Sequence, residues 1–329
     1  MNSKKILFRV DGDKKLGMGH IYRVRNLAEA LKKQKHQLVF VTKTPIATTF
    51  LNKFGNCLVI KNDDSKKLKD LLITFNPDII LIDKLKENNF LLQIFKKYCN
   101  KIIAIDYTGK NTKNLDIGIN ILYQKTGFKS RPNYSGFQFT ILDEKFHKTN
   151  SIKINKKIQS ILILQGGSDT HCFIPKILDA LNSLDEKINL KIVIGPAFKC
   201  WNKLESSLKS NSKKIKIYHN AKNMAAIMHK TDLAISAGGV TLLELCRMGI
   251  PTIVVCGETF ENETATILQK QGFGINLGFG KQLSEQIILN STNELISNYK
   301  LRVSMNKASK SIIDDLGSNR VIDLLDISN

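Results

Sequence analysis

The chain alternates short apolar runs with amphipathic segments, and this alternation occurs twice. In the first half, the runs KILFRV, QLVFVTK, CLVIK, PDIILID and KIIAID are separated by segments of helical periodicity. The second half repeats the pattern with SILILQ, KIVIG, IKIYH, LAIS and PTIVV. Short buried strands that take turns with helices form βαβ units and parallel sheets. The sequence therefore predicts an α/β protein with two doubly wound, Rossmann-like domains.

A less regular stretch separates the two halves. Residues 108–158 are rich in Gly, Pro, Asn and Ser and end in the lysine-rich segment HKTNSIKINKK, which predicts a domain boundary within 148–158. A length of 329 residues also favours two domains. We assign residues 1–150 to an N-terminal domain and 151–329 to a C-terminal domain. The ligand is expected in the cleft between them, at the carboxyl ends of the strands.

The net charge of +21 raises the question of nucleic-acid binding. Only seven of the 50 basic residues are arginine, the residue that most often reads bases. The lysines are scattered over nearly every predicted helix and loop, so the sequence argues against nucleic acid and favours attraction of small anions. No apolar run approaches the length of a membrane span or a signal-peptide core, so we expect no integral membrane segment and a cytoplasmic location.

The six cysteines and six histidines show no metal-ligand spacing. The chain has no CxxC motif and no HxxxH pair. Several cysteines lie in apolar runs, which is typical of reduced thiols in a protein core. We therefore expect no metal ion, no cofactor and no disulfide bond.

The first of three glycine loops, LGMGH, leads into a helix predicted over His20–Lys33. Glycine lets a ligand approach the backbone, and the amino end of a helix favours an anion. The same helix end disfavours a charged imidazole, so His20 is a candidate general base; a solvated histidine at a helix entry is the alternative. Tyr22 replaces the third glycine of a dinucleotide-binding loop, which argues against NAD(P). The pair Asp11 and Asp13 could hold a metal–diphosphate, although a solvated loop start is the simpler interpretation.

Two further glycine loops follow strands of the second half. In QGGSD, main-chain N–H groups and Ser168 could hold a phosphate, or Ser168 or Asp169 could cap the next helix; both interpretations stay open. In SAGGVTLLELCRMGIP, Glu244 is the only acid in a mostly apolar helix and could bind both hydroxyls of a ribose. Thr241-x-x-Glu244 also fits a capping box, which the spacing alone slightly favours.

In combination and in this order, four blocks resemble a known family: FRVDGDKKLGMGHIYRVRNLAEAL, LQGGSD, NMAAIMHKTDLAISAGGVTLLELCRMGIPTIVV and ETATILQKQGFGINLG. They resemble the UDP-sugar hydrolases of the pseudaminic acid pathway and their spore-coat polysaccharide relatives, from about residue 5 to about residue 280. The resemblance implies a GT-B-like fold, similar to the transferase that adds N-acetylglucosamine to the peptidoglycan lipid precursor. It also implies inverting hydrolysis of a UDP-linked 2,4-diacetamido-2,4,6-trideoxyhexose, a pseudaminic- or legionaminic-type precursor, which releases UDP and free sugar for nonulosonic acid biosynthesis.

The resemblance also implies roles for individual residues. His20 is expected to be the base that activates water, with Gly238, Gly239 and Thr241 at the diphosphate and Glu244 at the ribose. Backbone N–H groups and a helix end stabilise UDP as a leaving group, so a placed water and a base suffice without a metal. The remaining candidate substrate-binding residues are Arg9, Asp11, Gly17, Gly19, Arg23, Gly166, Gly167, Ser168, Asp169, Gly195, Ala237 and Glu261.

The sequence departs from the family pattern near the expected sugar position. After the fourth strand, the family often has Asp-x-Tyr, and this chain has Asp83-Lys84-Leu85. Where the family often has two aspartates, this chain has Asp106-Tyr107. The Asn-Gln pair of the family is replaced by Phe260-Glu261. The identity of the sugar is therefore open. Two alternatives to the hydrolase also stand: a GT-B glycosyltransferase that uses a UDP-sugar donor, and a non-catalytic nucleotide-sugar-binding protein.

Overall fold

The structure is a computed structural model that describes residues 3–12, 17–61, 64–122, 132–184 and 187–326. It divides into two compact units. The first unit is Met1–Asp143 together with Asp315–Asn329, and the second is Glu144–Asp314. Each unit is built on one sheet in which every strand pairs in parallel with its neighbours.

The first sheet has seven strands. They are β1 Lys5–Val10, β2 Gln37–Thr42, β3 Cys57–Val59, β4 Ile79–Asp83, β5 Lys101–Ile105, β6 Ile117–Asn120 and β7 Asn133–Ser135. Their order is β3-β2-β1-β4-β5-β6-β7, so the direction of winding reverses between β1 and β4. Leu7 of β1 stands opposite Val39 on one side and Ile80 on the other, and all three are buried. Ligands of doubly wound sheets bind outside the carboxyl ends of the two strands at such a reversal.

Four helices follow the strands of this sheet. They are α1 Gly19–Lys33, α2 Thr48–Leu51, α3 Ser65–Phe75 and α4 Asn89–Tyr98, with a short 3-10 turn at Pro45–Ala47 and another at Phe137–Phe139. On α1, Val24, Leu27, Ala28 and Leu31 recur at helical spacing and are buried, as the sequence predicts. Lys32 and Lys33 lie in the last turn, where positive charge complements the helix dipole.

The second sheet has six strands. They are β8 Ser160–Leu164, β9 Asn189–Ile194, β10 Ile215–His219, β11 Leu233–Ser236, β12 Thr252–Cys256 and β13 Ile275–Phe279, in the order β10-β9-β8-β11-β12-β13. The reversal of winding falls between β8 and β11. The helices are α5 Glu144–His147, α6 Phe173–Ala180, α7 Trp201–Lys209, α8 Met224–His229, α9 Val240–Met248, α10 Thr259–Lys270, α11 Glu285–Ser297 and α12 Tyr299–Ile312.

The last helix, α13 Gly317–Asp326, belongs to the first unit, whereas the sequence predicts a C-terminal domain of residues 151–329. It packs on α1 and on the turn at Phe137–Phe139. Arg320 Nη1 donates to the carbonyl of Gln138 at 2.8 Å, and Lys4 and Lys101 donate to the carbonyl of Leu325. The first unit is therefore assembled from both ends of the chain.

The predicted fold class, an α/β protein with two doubly wound sheets, is confirmed. Among the described residues, six strands and α-helices were missed: β6, β7, β13, α5, α7 and α11. The strands β6 and β7 lie in the stretch 108–158, where their short, Gly- and Asn-containing sequences carry little strand pattern. They exist because the edge of β5 offers backbone partners, with Ile103 opposite Ile117.

The expectation of reduced cysteines is wrong at one pair. Cys172 and Cys200 form a disulfide that spans 28 residues and joins the segment after β8 to the segment after β9. The two cysteines are far apart in sequence, and the parallel pairing of β8 with β9 brings their carboxyl ends side by side. The four other cysteines are free thiols, and Cys99, Cys246 and Cys256 are buried among apolar residues as expected.

Candidate active site

The start of α1 meets the carboxyl end of β4 because β1 and β4 are neighbours at the reversal of the first sheet. Gly19 is the first residue of α1 and His20 the second, while Gly17 precedes them with a φ of 79°. His20 Nδ1 lies 2.6 Å from Oδ1 of Asp83, the last residue of β4. The Asp83 side chain is fully buried and that of His20 is 18% exposed. One edge of the ring is thus fixed while part of it stays accessible.

Arg23 holds the carboxylate of Asp83 from the other side. It lies one turn after His20 on α1, and its Nε and Nη2 donate to the two oxygens of Asp83 at 2.8 and 2.5 Å. Its Nη1 donates to Asp106, which follows β5. The second oxygen of Asp106 accepts the N–H groups of Ile121 and Leu122 at 2.7 and 2.9 Å. Two carboxylates from adjacent strands therefore fix one buried guanidinium.

The charges of this cluster determine what His20 can do. Burial alone would raise the pKa of Asp83, but the charge and hydrogen bonds of Arg23, together with His20, lower it to about 2. Burial would lower the pKa of Arg23, yet Asp83 and Asp106 raise it. Asp83 is therefore ionised at neutral pH and can only accept a hydrogen bond. A neutral His20 then carries its proton on Nδ1 and leaves Nε2 free to take a proton, the arrangement of a carboxylate-oriented general base.

Arg9 and Asp11 form a separate buried network at the end of β1. Arg9 Nη1 and Nη2 bind the two oxygens of Asp11 at 2.6 and 2.7 Å, and Nε lies 2.5 Å from Glu87. Lys84 also reaches Asp11 at 2.7 Å. Burial would raise the pKa of Asp11, but Arg9, Lys84 and a backbone N–H hold it far below its ordinary value. Arg9 is completely buried, so its contacts shape the loop after β1; Asp13, the other half of the predicted pair, lies outside the described residues.

In the second unit, the loop after β8 caps its own helix. The carboxylate of Asp169 accepts the N–H groups of Phe173 and Ile174 at 2.7 and 2.9 Å, at the start of α6. Burial raises the pKa of Asp169, although these two bonds oppose the rise. The capping interpretation therefore holds for Asp169, and its carboxylate already occupies the amino end of α6.

Two glycines of the same loop have backbone N–H groups that are available to a ligand. Among the described residues, nothing accepts the backbone N–H groups of Gly166 and Gly167. Gly167 packs closely against Gly195, because a Cβ on Gly195 would lie 2.4 Å from the carbonyl oxygen of Gly167. Ser168 Oγ lies 3.0 Å from Thr170 Oγ1. Gln165 is 6% exposed, and its Nε2 has no partner in the described part of the chain, which adds a candidate that the sequence analysis missed.

The loop after β11 opens α9 without a side-chain cap. Gly239 is the N-cap residue of α9, and it has no side chain that could bond to the first turn. Thr241 is the second helical residue, so the predicted capping box of Thr241 with Glu244 is wrong. Nothing in the described residues accepts the backbone N–H groups of Gly238, Gly239 or Thr241. Uncapped N–H groups at a helix start, preceded by glycines, form a site for an anion.

Glu261 lies against this loop. A Cβ on Gly238 would lie 2.3 Å from the carbonyl oxygen of Glu261, and one on Gly239 would lie 3.8 Å from Glu261 Oε1. Glu261 Oε2 accepts the N–H groups of Gly257 and Glu258 at 2.7 and 3.2 Å, so its side chain belongs to the capping box of α10. Burial raises the pKa of Glu261 despite these bonds. The structure thus brings Gly238, Gly239 and Glu261 together, with Ala237 one residue before them.

Asp83 and Asp106 are the main residues that the site prediction missed. Both appear in the sequence as departures from a family pattern, but neither was named as a site residue. A usable signal was present, because Asp83 ends one buried apolar strand of the parallel sheet and Asp106 follows the next. Within the described ranges, no three His, Cys, Asp or Glu side chains are grouped to hold a metal ion. No helix in that part of the chain is long and apolar enough to cross a membrane.

The two doubly wound units, each with glycine loops at or beside the strands where winding reverses, have a GT-B-like fold. Residues 160–319, most of which belong to the second unit, match the family model of the glycosyltransferase family 28 C-terminal domain. The chain is also similar over 98% of its length to the crystal structure of Acinetobacter baumannii MurG, with a TM-score of 0.70, 13% identity and coverage of 99% of that chain.

The chain is also similar to other proteins at the level of sequence, among them two relatives from an archaeon and a bacterium. The uncharacterized protein MJ1062 of Methanocaldococcus jannaschii is 31% identical over 79% of this chain, and the match spans 57% of that protein's length. The spore coat polysaccharide biosynthesis protein SpsG of Bacillus subtilis is 27% identical over 96% of both chains. The chain therefore spans little more than half of the first relative and nearly all of the second.

Proposed function

We propose that this protein hydrolyses a UDP-linked 2,4-diacetamido-2,4,6-trideoxyhexose at its anomeric carbon, in polysaccharide or nonulosonic acid biosynthesis. The observation that carries the proposal is the 2.6 Å contact of His20 Nδ1 with the buried, ionised Asp83. The similarity to a spore coat polysaccharide biosynthesis protein supports the same field of metabolism. The cytoplasm is the proposed location of the reaction.

In the proposed reaction, His20 Nε2 takes a proton from water as the water oxygen attacks the anomeric carbon. The bond from that carbon to the diphosphate oxygen breaks, and UDP leaves with the bonding electrons. The ionised Asp83 stabilises the imidazolium that forms, and Arg23 keeps Asp83 in place. Because attack and departure occur on opposite faces of the sugar, the configuration at the anomeric carbon inverts.

The second unit supplies the nucleotide site in this proposal. The N–H groups of Gly238, Gly239 and Thr241, together with the amino end of α9, stabilise the negative charge that develops on the leaving diphosphate. Glu244 takes the ribose hydroxyls. Gly166, Gly167 and Ser168 contribute further donors from the loop after β8.

The test is UDP release from a panel of UDP-sugars without any acceptor, in water enriched in oxygen-18. Attack on the anomeric carbon places the heavy oxygen in the free sugar and leaves UDP unlabelled. His20→Gln should lower kcat by about 10³-fold, the range of a lost general base, and Asp83→Asn by about 10²-fold through loss of orientation. His147→Gln, a histidine outside both sites, is the matched control. Label in the nucleotide, or equal activity of His20→Gln and wild type, would refute the mechanism.

Transfer to a sugar hydroxyl is the second candidate, because the second unit matches a glycosyltransferase domain. The same base would then deprotonate an acceptor instead of water. UDP release that requires an added acceptor would select the transferase. Binding of UDP-sugar without turnover under any of these conditions would select a non-catalytic binding protein.

A further inference from the structure

A groove of about 700 Å³ lies at the amino edge of the second sheet. Its walls are the starts of β8 and β9, the approach to β10, the segment 150–155 and the end of α8. All of these residues belong to the second unit. The glycine loops stand at the opposite, carboxyl edge, where doubly wound sheets bind their substrates. The groove is therefore separate from the proposed nucleotide site.

Five lysines from different parts of the chain converge on this groove. They are Lys153 in the segment 150–155, Lys191 on β9, Lys214 and Lys216 at the start of β10, and Lys230 after α8. Across the described ranges, no carboxylate forms an ion pair with any of them. Because the five lysines belong to separate segments of the chain, their convergence here is a property of the fold.

The single carboxylate of the groove is already occupied. One oxygen of Asp232 accepts the N–H groups of Gln159 and Ser160 at 3.0 and 2.9 Å and the Ser160 hydroxyl at 3.1 Å. The other accepts Asn155 Nδ2 at 2.8 Å. Asp232 thus fastens the entry of β8 to β11, and it leaves most of the lysine charge unneutralised.

Lys191 shows that these charges act on one another. It is half-buried, and its ammonium donates to the carbonyl of Lys230 and to Thr231 Oγ1. Burial lowers the pKa of Lys191; Asp232 opposes this effect, and the nearby charges of Lys230 and Lys216 add to it. A bound anion would relieve this repulsion, because it brings the missing negative charge into the groove.

The shape of the site limits the class of ligand. A concave volume of this size matches a small molecule, whereas a membrane or a nucleic-acid duplex needs an open or extended surface. Lysine binds phosphate as a mobile point charge, and the residues that line the groove include no Phe, Tyr or Trp on which a base could stack. We propose that this groove is a second ligand site, which binds a compact anion carrying two or more phosphate groups.

Titration calorimetry with inorganic tripolyphosphate tests the proposal on the full chain, at about 0.15 M salt and with excess UDP present. We expect one site per chain. Lys191→Gln with Lys230→Gln should weaken binding at least about tenfold, and Lys153→Gln with Lys216→Gln, both at exposed positions, should weaken it similarly without affecting the fold. The control pair, Lys66→Gln with Lys69→Gln on α3, removes the same charge elsewhere and should change the affinity less than about twofold.

Four results would overturn the proposal. Equal weakening by the control pair would show a general charge effect. Binding that appears only without UDP and does not depend on these lysines would assign tripolyphosphate to the nucleotide site. Tighter binding of a DNA duplex or of anionic vesicles, with the same dependence on these lysines, would assign the surface to a macromolecule. Absence of saturable binding at this salt concentration would remove the site altogether.

Discussion

Arg23 and Arg25 lie two positions apart on α1, and they differ in how deeply their ion pairs are buried. The Arg23 side chain is 3% exposed and joins two carboxylates that are themselves buried. Arg25 is 24% exposed and pairs with Asp143, which is 17% exposed. A buried charge that loses a partner is costly, whereas a surface pair contributes little. The two residues therefore form a matched pair for mutation.

We predict that Arg23→Lys destabilises the protein by about 3 kcal/mol, because one ammonium cannot bridge both Asp83 and Asp106 as the guanidinium does. Arg25→Lys should change the free energy of unfolding by less than about 1 kcal/mol. Urea unfolding of both variants at neutral pH measures the difference. Similar losses in the two variants would show that the cluster around Arg23 has no special energetic role.

A second prediction concerns acid. The pKa of Asp83 in the folded protein, about 2, lies below its ordinary value of 3.8. Ionised Asp83 therefore stabilises the folded state at every pH above about 4. This contribution, on the order of 2 kcal/mol, is lost as the pH falls from about 4 to about 2. Asp83→Asn lacks it at every pH. The difference in unfolding free energy between wild type and Asp83→Asn should therefore shrink over this range, and a constant difference would contradict the assignment.

At the scale of elements, the contact of the loop after β11 with the start of α10 depends on a glycine. A Cβ on Gly238 would collide with the main-chain carbonyl of Glu261, whereas one on Gly239 would meet only a side-chain oxygen at 3.8 Å. We predict that Gly238→Ala costs about 2 kcal/mol of stability and Gly239→Ala about 1 kcal/mol or less. Thermal unfolding of both variants checks this. Equal melting temperatures would place the strain elsewhere.

The elements also show what the sequence can and cannot reveal. Buried runs such as PDIILID predicted central strands, because a strand covered on both faces is apolar throughout. The strand β13, Ile275–Phe279, was missed because its half-buried, glycine-containing sequence looks like a loop. At the candidate site, local spacing predicted roles for His20 and the glycines. The partnership of His20 with Asp83 depends on the neighbouring positions of β1 and β4, and the spacing of residues along the chain does not contain strand order.

At the scale of the whole molecule, α13 ties the end of the chain to the first unit. We predict that deletion of Asp315–Asn329 speeds hydrogen exchange in α1 and around Phe137–Phe139, which lose their packing partner. Exchange in the second sheet should stay unchanged, because that unit consists of Glu144–Asp314 alone. Arg320→Ala, which removes the bond to Gln138 and leaves the rest of α13 in place, is the milder control. Faster exchange throughout both units would argue against two separate folding units.

The return of α13 also has a consequence for biosynthesis. A ribosome delivers the seven strands of the first sheet early, yet the helix that covers the turn at Phe137–Phe139 emerges only after the whole of Glu144–Asp314 has been made. Domains usually mature in the order of their translation. Here the first unit is completed last. The surface of α1 and of the turn at Phe137–Phe139 that α13 covers therefore stays exposed during synthesis, where chaperones can bind it.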